Sequence, residues 1–242
     1  MFCIARYSGA AAAAMLLAVL AGWLFLMDRT APLAFGDVVQ NVKNAKTVTF
    51  VTRMKSTPLP MLEQKWYIRG DAFRMEMPSA QFGDKVPADA PPVLVAVIAD
   101  AKQKKGLELD FARKTARKIT ADKEGWEDMA KGLANPIEQL RKLKSQDAKR
   151  IGEEELDGRK TQVYQLKKAD IFMGVRTGQG DTAKLWVDPK TGLPVRIAVE
   201  RPAGDGKEKE VLFAFEEFTW NERLDPALFK LEVPKGFTLQ DK

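Results

Sequence analysis

The sequence contains no histidine and a single cysteine, Cys3, in 242 residues. Without histidine there is no Ser-His-Asp triad, Cys-His pair, imidazole base or histidine-ligated zinc. One cysteine excludes an internal disulfide framework, a CxxC redox pair and a thiolate cluster. Catalysis would have to rest on Asp, Glu, Lys, Tyr or Ser. What is present is ordinary for a folded chain: 45% hydrophobic and 30% charged residues, in a length that allows one large domain or two small ones. No repeat, low-complexity tract or second composition regime divides it.

From Tyr7 to Met27 the only ionisable group is the tyrosine phenol. At about 1.5 Å per residue such a helix crosses the hydrocarbon core of a bilayer. Arg6 and the α-amino group precede it, Asp28 and Arg29 follow it, and this bias favours an inside N-terminus with the rest exported. The expected organisation is a short inner-side tail at 1–6, a transmembrane anchor at 7–27 in the cytoplasmic (inner) membrane, and a domain at 28–242 facing the periplasm or exterior. The alternative is a signal segment whose cleavage releases an exported soluble domain. The length of the apolar run and the lack of an Ala-x-Ala site favour retention. Cys3 lies ahead of the run and is not read as a lipidation site.

Residues 28–242 hold 38 basic and 33 acidic side chains, a formal charge of +5. The basic ones gather at 102–105, 113–118 and 141–150. A pI near 9.3 raises nucleic acid as a partner, but an exported domain rarely meets it, and no stacking aromatics are interleaved with the basic runs. The reading is a solvated positive face, with attraction to anionic headgroups as the sharper alternative. No nucleic acid partner is expected.

Residues 33–45 space Phe35, Val38, Val39, Val42 and Ala45 as one helical stripe. The period then changes to two. Val48, Phe50 and Met54 alternate with polar residues, as do Trp66 and Ile68, then Phe73, Met75 and Met77. Gly70-Asp71, Asp157-Gly158 and the run Asp188-Pro189-Lys190-Thr191-Gly192 read as turns between such segments. About nine or ten strand-like segments follow, mostly hairpin-connected, which predicts one antiparallel sheet. Helical spacing returns at 122–144, with Trp126, Met129 and Leu133 on one stripe and a restart at Asn135-Pro136. The fold class expected is mostly β with α: a curved antiparallel sheet, a half-barrel, covered by helices and preceded by the N-terminal transmembrane helix.

The acidic runs Glu153-Glu154-Glu155 and Glu216-Glu217 do not make a catalytic pair or a metal site, because neighbours on a strand point to opposite faces. Gly174, Gly178 and Gly180 lack the strand-to-helix context of a phosphate loop. No catalytic residue, metal site or cofactor is expected. The open question is what the apolar face binds.

Four segments carry a family resemblance: Lys65 to Arg74, Gly106 to Ala116, Leu185 to Arg196 with its D-P-K-T-G-L-P turn, and Leu224 to Phe237 with its L-D-P-x-x-F…P-x-G-F ending. Together they resemble the outer-membrane lipoprotein carrier superfamily, the LolA-like fold that includes periplasmic sensors of the RseB/MucB type, over residues 34–240. Gly70 departs from it, standing where the carriers usually have proline, and an anchor stands where carriers are soluble. The resemblance implies an open half-barrel that holds acyl chains of lipid or lipoprotein on its concave face under a helical lid, here 122–144. It also implies an arginine on the first hairpin that hydrogen-bonds the lid; Arg69 matches that position. Alternation alone puts Arg69 on the polar face of its strand, so such a contact needs a twist or bulge. The expected ligand-binding residues are Phe50, Met54, Trp66, Ile68, Phe73, Met75, Met77, Trp126, Met129 and Leu133. Plain core packing is the competing reading for each of them. A regulatory domain that contacts an envelope protein partner is the rival function: an open cavity favours the binder, a closed core with an exposed apolar patch the regulator.

Overall fold

In the computed structural model the described residues are 32–55, 61–87, 89–120, 136–167, 178, 180–202 and 209–240. The apolar stripe at 35–42 forms helix α1 (Phe35–Asn44), with Asp37 in its first turn and Lys43 in its last, both suited to the helix dipole. Phe35, Val38, Val39 and Val42 are its buried face. Pro136 opens a second, short helix, α2 (Pro136–Lys142), as its fixed φ favours. Ile137 and Leu140 are buried with it. Asn135, Trp126, Met129 and Leu133, and with them residues 122–135 of the expected lid, lie outside the described residues.

Twelve strands form one open sheet. In chain order they are β1 (Thr47–Met54), β2 (Leu62–Arg69), β3 (Ala72–Pro78), β4 (Val93–Asp100), β5 (Lys105–Asp110), β6 (Thr115–Thr120), β7 (Ala148–Leu156), β8 (Arg159–Leu166), β9 (Thr182–Asp188), β10 (Leu193–Pro202), β11 (Lys209–Trp220) and β12 (Thr238–Gln240). Their spatial order is β12-β6-β5-β4-β3-β2-β1-β11-β10-β9-β8-β7. Consecutive hairpins generate both arms, and β1 and β11 pair at the centre to join them. The mostly-β expectation, with helices and a large open sheet, is met.

Two expectations need correction. The sheet is not wholly antiparallel, because β12 runs parallel to β6. The chain after β11 crosses the face of the sheet away from the helices, packs Leu231, Val233 and Phe237 against Ala96, Ile98, Leu107, Leu109 and Ala116, and reaches the edge travelling in the direction of β6. Residues 113–118, read as a basic run, also hold most of β6: Ala116 is buried in that cluster, while Arg117 pairs with Glu108.

The alternation predicted for the strands holds through the centre. Val48, Phe50, Thr52 and Met54 of β1 stand opposite Ile68, Trp66, Gln64 and Leu62 of β2, all on the face that carries the helices. That face, called inner here, continues through Phe73 and Met75 to Val97 and Ala99 in one direction, and through Phe215, Ile197, Leu185 and Tyr164 in the other. All of these except Thr52, Met54, Gln64 and Leu62 belong to one buried apolar cluster shared with α1 and α2.

The Asp188–Gly192 turn docks α1 onto this sheet. Asn41 Nδ2 donates to the Thr191 carbonyl at 3.3 Å, and Gly192 has φ +65° with room for no side chain: a Cβ there would lie 2.2 Å from Asn41 Nδ2 and 3.1 Å from Leu33 Cδ2. Gly192→Ala is therefore expected to cost about 1–3 kcal/mol, from the strained backbone and the displaced helix together. A urea melt would read it, and an unchanged midpoint would contradict the docking role.

No helix among the described residues is long and apolar enough to cross a membrane. The segment 7–27 and the tail 1–6 lie outside the described residues.

Candidate functional site

The inner face gathers five of the expected ligand-binding residues into one cluster. Phe50, Trp66, Ile68, Phe73 and Met75 are all buried, with Trp66 at 0% exposure and Phe73 the highest at 6%. Phe50 stacks on Trp66 at 5.8 Å, and Trp66 meets Phe73 at 5.7 Å. Met54 and Met77, at the ends of β1 and β3 beyond this row, are only partly buried. Leu62 and Val95 share that status on β2 and β4. The apolar surface is thus closed at its centre and loosens toward the strand ends where β1 enters β2 and β3 enters β4.

Four polar atoms interrupt this surface: Gln162 Nε2 on β8, and three more on β1 and β2. Thr52 Oγ1, Gln64 Oε1 and Trp66 Nε1 are buried without a hydrogen-bond partner. Thr52 and Gln64 are direct cross-strand partners, and Gln64 and Trp66 lie two residues apart on the same face.

The helices are fixed over the other arm of the sheet by specific contacts. Leu33, just ahead of α1, is held at both ends of its peptide: its N–H donates to Gln162 Oε1 at 2.9 Å and its carbonyl accepts from the Tyr164 hydroxyl at 2.6 Å. Burial raises the Tyr164 phenol above its ordinary value. Arg141 of α2 ties the two helices together. Its Nε donates to the Val42 carbonyl at 3.3 Å, its Nη2 to the Ala45 carbonyl at 3.0 Å, and its Nη1 pairs with Glu138 at 2.6 Å. The last carbonyls of a helix have no intrahelical donor, and a cation there also suits the helix dipole. Sequence reasoning placed Arg141 in a basic run and missed this role. The signal was its position in the last turn of a short helix, three residues after Glu138.

Among the described residues Arg69 makes its contact on the outer face. β2 pairs with β1 and β3 without a bulge, so simple alternation wins and Arg69 points to the outer face. Its guanidinium lies 4.6 Å over the Phe229 ring, a cation–π contact with the C-terminal segment. Phe229 is set by the 3₁₀ turn Pro226–Phe229, which Asp225 caps by accepting from the Ala227 N–H. The described part of the expected lid, α2, lies on the opposite face with Trp66 and Ile68.

Around β1, β10 and β11 the outer face carries a network of ion pairs. A cleft of about 540 Å³ opens there, lined among others by Arg53, Asp157, Arg159, Arg196, Glu216 and Glu217. Glu216 and Glu217 both reach Arg53, at 2.6 and 2.5 Å, against the expectation that adjacent carboxylates diverge. A bulge in β11 opposite β1 is the reason, and Glu217 takes a φ of +57° there. These carboxylates hold the Arg53 guanidinium well above its ordinary range. Glu216 also pairs with Arg196 at 3.0 Å, which in turn lies over the Trp186 ring. The glutamates of the cleft are engaged by arginine, an arrangement that locks β1, β10 and β11 in register. Among the described residues no group of acidic or cysteine side chains is arranged to hold a metal ion.

Near the far end of β10, Asp181 accepts a bidentate pair from Arg201 at 2.9 and 3.0 Å and the Gly178 N–H at 2.7 Å. The Arg201 hydrogen bonds hold its carboxyl below the ordinary carboxylate value. A lowered folded value gives stability that is complete above the unfolded value of about 3.9 and lost as pH falls through the folded one. Asp181→Asn is therefore expected to flatten the acid limb of the stability curve below about pH 4. Acid melts that superimpose for the two proteins would refute this.

No family model matches this chain, and no curated protein matches it. Solved structures do. The MucA/MucB complex of Pseudomonas aeruginosa is similar at 13% identity over 83% of this chain and 62% of that chain, with a TM-score of 0.44. The Mycobacterium tuberculosis lipoprotein LppX is similar at 12% identity over 79% of this chain and 97% of that chain, TM-score 0.45. A LolA superfamily protein from Nitrosomonas europaea is similar at 9% identity over 82% of this chain and 98% of that chain, TM-score 0.31.

Proposed function

We propose that this chain is a non-catalytic, extracytoplasmic binding domain that takes an acyl chain of a lipid or lipoprotein between its helices and the inner face of its sheet. The observation that supports this reading most is the continuous apolar inner face. It runs across eight neighbouring strands, from β4 to β8, as a single cluster with α1 and α2. Its methionines, Met54, Met75 and Met77, lie in one region beside aromatic rings, and thioether side chains adapt to a flexible chain. Met54 and Met77 mark the partly buried rim through which a chain would enter. With the centre closed, entry requires the helices to shift, so binding and closure compete. Residues 7–27 would hold the domain at the membrane that supplies the ligand. Native mass spectrometry of the detergent-extracted full chain tests the reading: adducts with the masses of acyl lipids are expected, and a bare chain after extraction and after incubation with phospholipid would sink it.

A protein partner is the second reading. It is favoured by the closed centre of the cluster, where Phe50, Trp66 and Ile68 have at most 1% exposure. A pull-down from envelope extract that recovers one partner in stoichiometric amount, with no bound lipid, would favour it over the first.

A further inference from the structure

Thr52 is 1% exposed and Trp66 fully buried, and Thr52 Oγ1, Gln64 Oε1 and Trp66 Nε1 have no partner in the cluster they interrupt. A core built for stability alone satisfies such atoms or replaces them with carbon, because an unpaired buried polar atom is destabilising. Three on adjacent inner-face positions of two paired strands form a local polar seat. Thr52 and Gln64 face each other across β1 and β2, and Trp66 is the next residue of β2 on the same face, with opposing Cβ atoms about 5 Å apart and same-face neighbours along a strand about 7 Å.

Resting on the acyl-binding reading, we infer that this seat receives the carbonyl of the ligand's acyl linkage, and that the domain therefore selects ester- or amide-linked acyl chains over ether-linked or plain hydrocarbon ones. Indole nitrogen is an obligate donor, so Trp66 Nε1 calls for an acceptor. The Thr52 hydroxyl is free to rotate and supplies a second donor to the same oxygen. A carbonyl oxygen accepts two hydrogen bonds; an ether oxygen is a poorer acceptor, and a methylene accepts none. The seat lies inward of the partly buried rim at Met54, Leu62 and Met77, by about 7 Å along β1 from Met54. That is where the linkage between headgroup and chain would come to rest, with the chain running inward along Met75 and Phe73.

The test offers the full chain an equimolar mixture of the ester-linked and ether-linked forms of one lysophosphatidylcholine and reads the bound ratio by native mass spectrometry. The wild type is expected to favour the ester about three- to tenfold, the range of one or two net hydrogen bonds. Thr52→Val, nearly isosteric, is expected to lower the ratio, and together with Trp66→Phe to bring it close to one, while keeping the ether form bound, and to melt no lower than wild type because it removes an unpaired hydroxyl. Trp66→Phe alone should also lower the ratio. Equal binding of the two forms by wild type overturns the seat and leaves acyl binding intact. A preference that survives both substitutions also overturns it. Binding of neither form overturns acyl binding together with the seat.

Discussion

Phe50→Ala is expected to lower the stability of the domain by about 3–5 kcal/mol, the range for removing a fully buried aromatic ring. Phe50 is 1% exposed and sits at the junction of the two arms of the sheet. Its ring stacks on Trp66 of β2, meets Phe215 of β11 edge-on at 5.7 Å and stacks on Phe218 at 5.3 Å. The neighbours are themselves large and locked by one another, so the site collapses poorly, and the cost should fall toward the upper end. The same substitution also probes function. If acyl chains enter this cluster, saturating fatty acid should fill part of the void and restore stability, by about 2.7 kcal/mol at a hundredfold excess over its dissociation constant. Thermal melts with and without fatty acid check both parts. A melting temperature that fatty acid leaves unmoved would detach this cluster from ligand binding.

Arg141→Met is expected to cost about 2–3 kcal/mol, because the Val42 and Ala45 carbonyls lose charged donors in a partly buried seam. Methionine keeps most of the apolar stem, so the loss reports the guanidinium and not its packing. Arg141→Lys, with charge but without the planar fork, should recover only part of it. If the helix pair is the movable cover, the folded fraction of Arg141→Met should also bind acyl probe more tightly, since the closed state that competes with ligand has been weakened. If the pair is fixed core, affinity in the folded fraction stays the same while stability falls.

The strands and the first helix were legible because burial on one face imposes a period on the sequence. The shared face of Val48, Phe50, Trp66 and Ile68 follows directly from alternation, and so does the outward direction of Arg69. The resemblance implies a lid contact for Arg69, and residues 122–135 of that lid lie outside the described residues. Alternation failed at Glu216 and Glu217 because a bulge is a local insertion with no apolar signature; only the unusual backbone at Glu217 marks it. β6 was obscured by its charges: Arg117 and Lys118 dominate the composition, whereas Ala116 alone meets the outer cluster. β12 is three residues long, too short for any periodicity, and its parallel pairing depends on the path of the whole C-terminal segment. The polar seat was hidden for a different reason. Thr52 and Gln64 read as ordinary strand residues, and only the register that sets them opposite each other and beside Trp66 brings their unpaired atoms together. The place of Arg141 in the last turn of a short helix hinted at a carbonyl contact, but not at its partners, which lie almost a hundred positions earlier in the chain.

The account stands most directly on where an acyl chain lies. Photo-crosslinking the full chain in its membrane with a diazirine-bearing fatty acid, followed by peptide mapping, measures this. Adducts are predicted on the inner-face positions Met54, Leu62, Met75 and Met77, and competition by unlabelled phospholipid should remove them. Adducts confined to the outer face around Arg53 and Arg196, or none beyond the level seen with a soluble control protein, would contradict it.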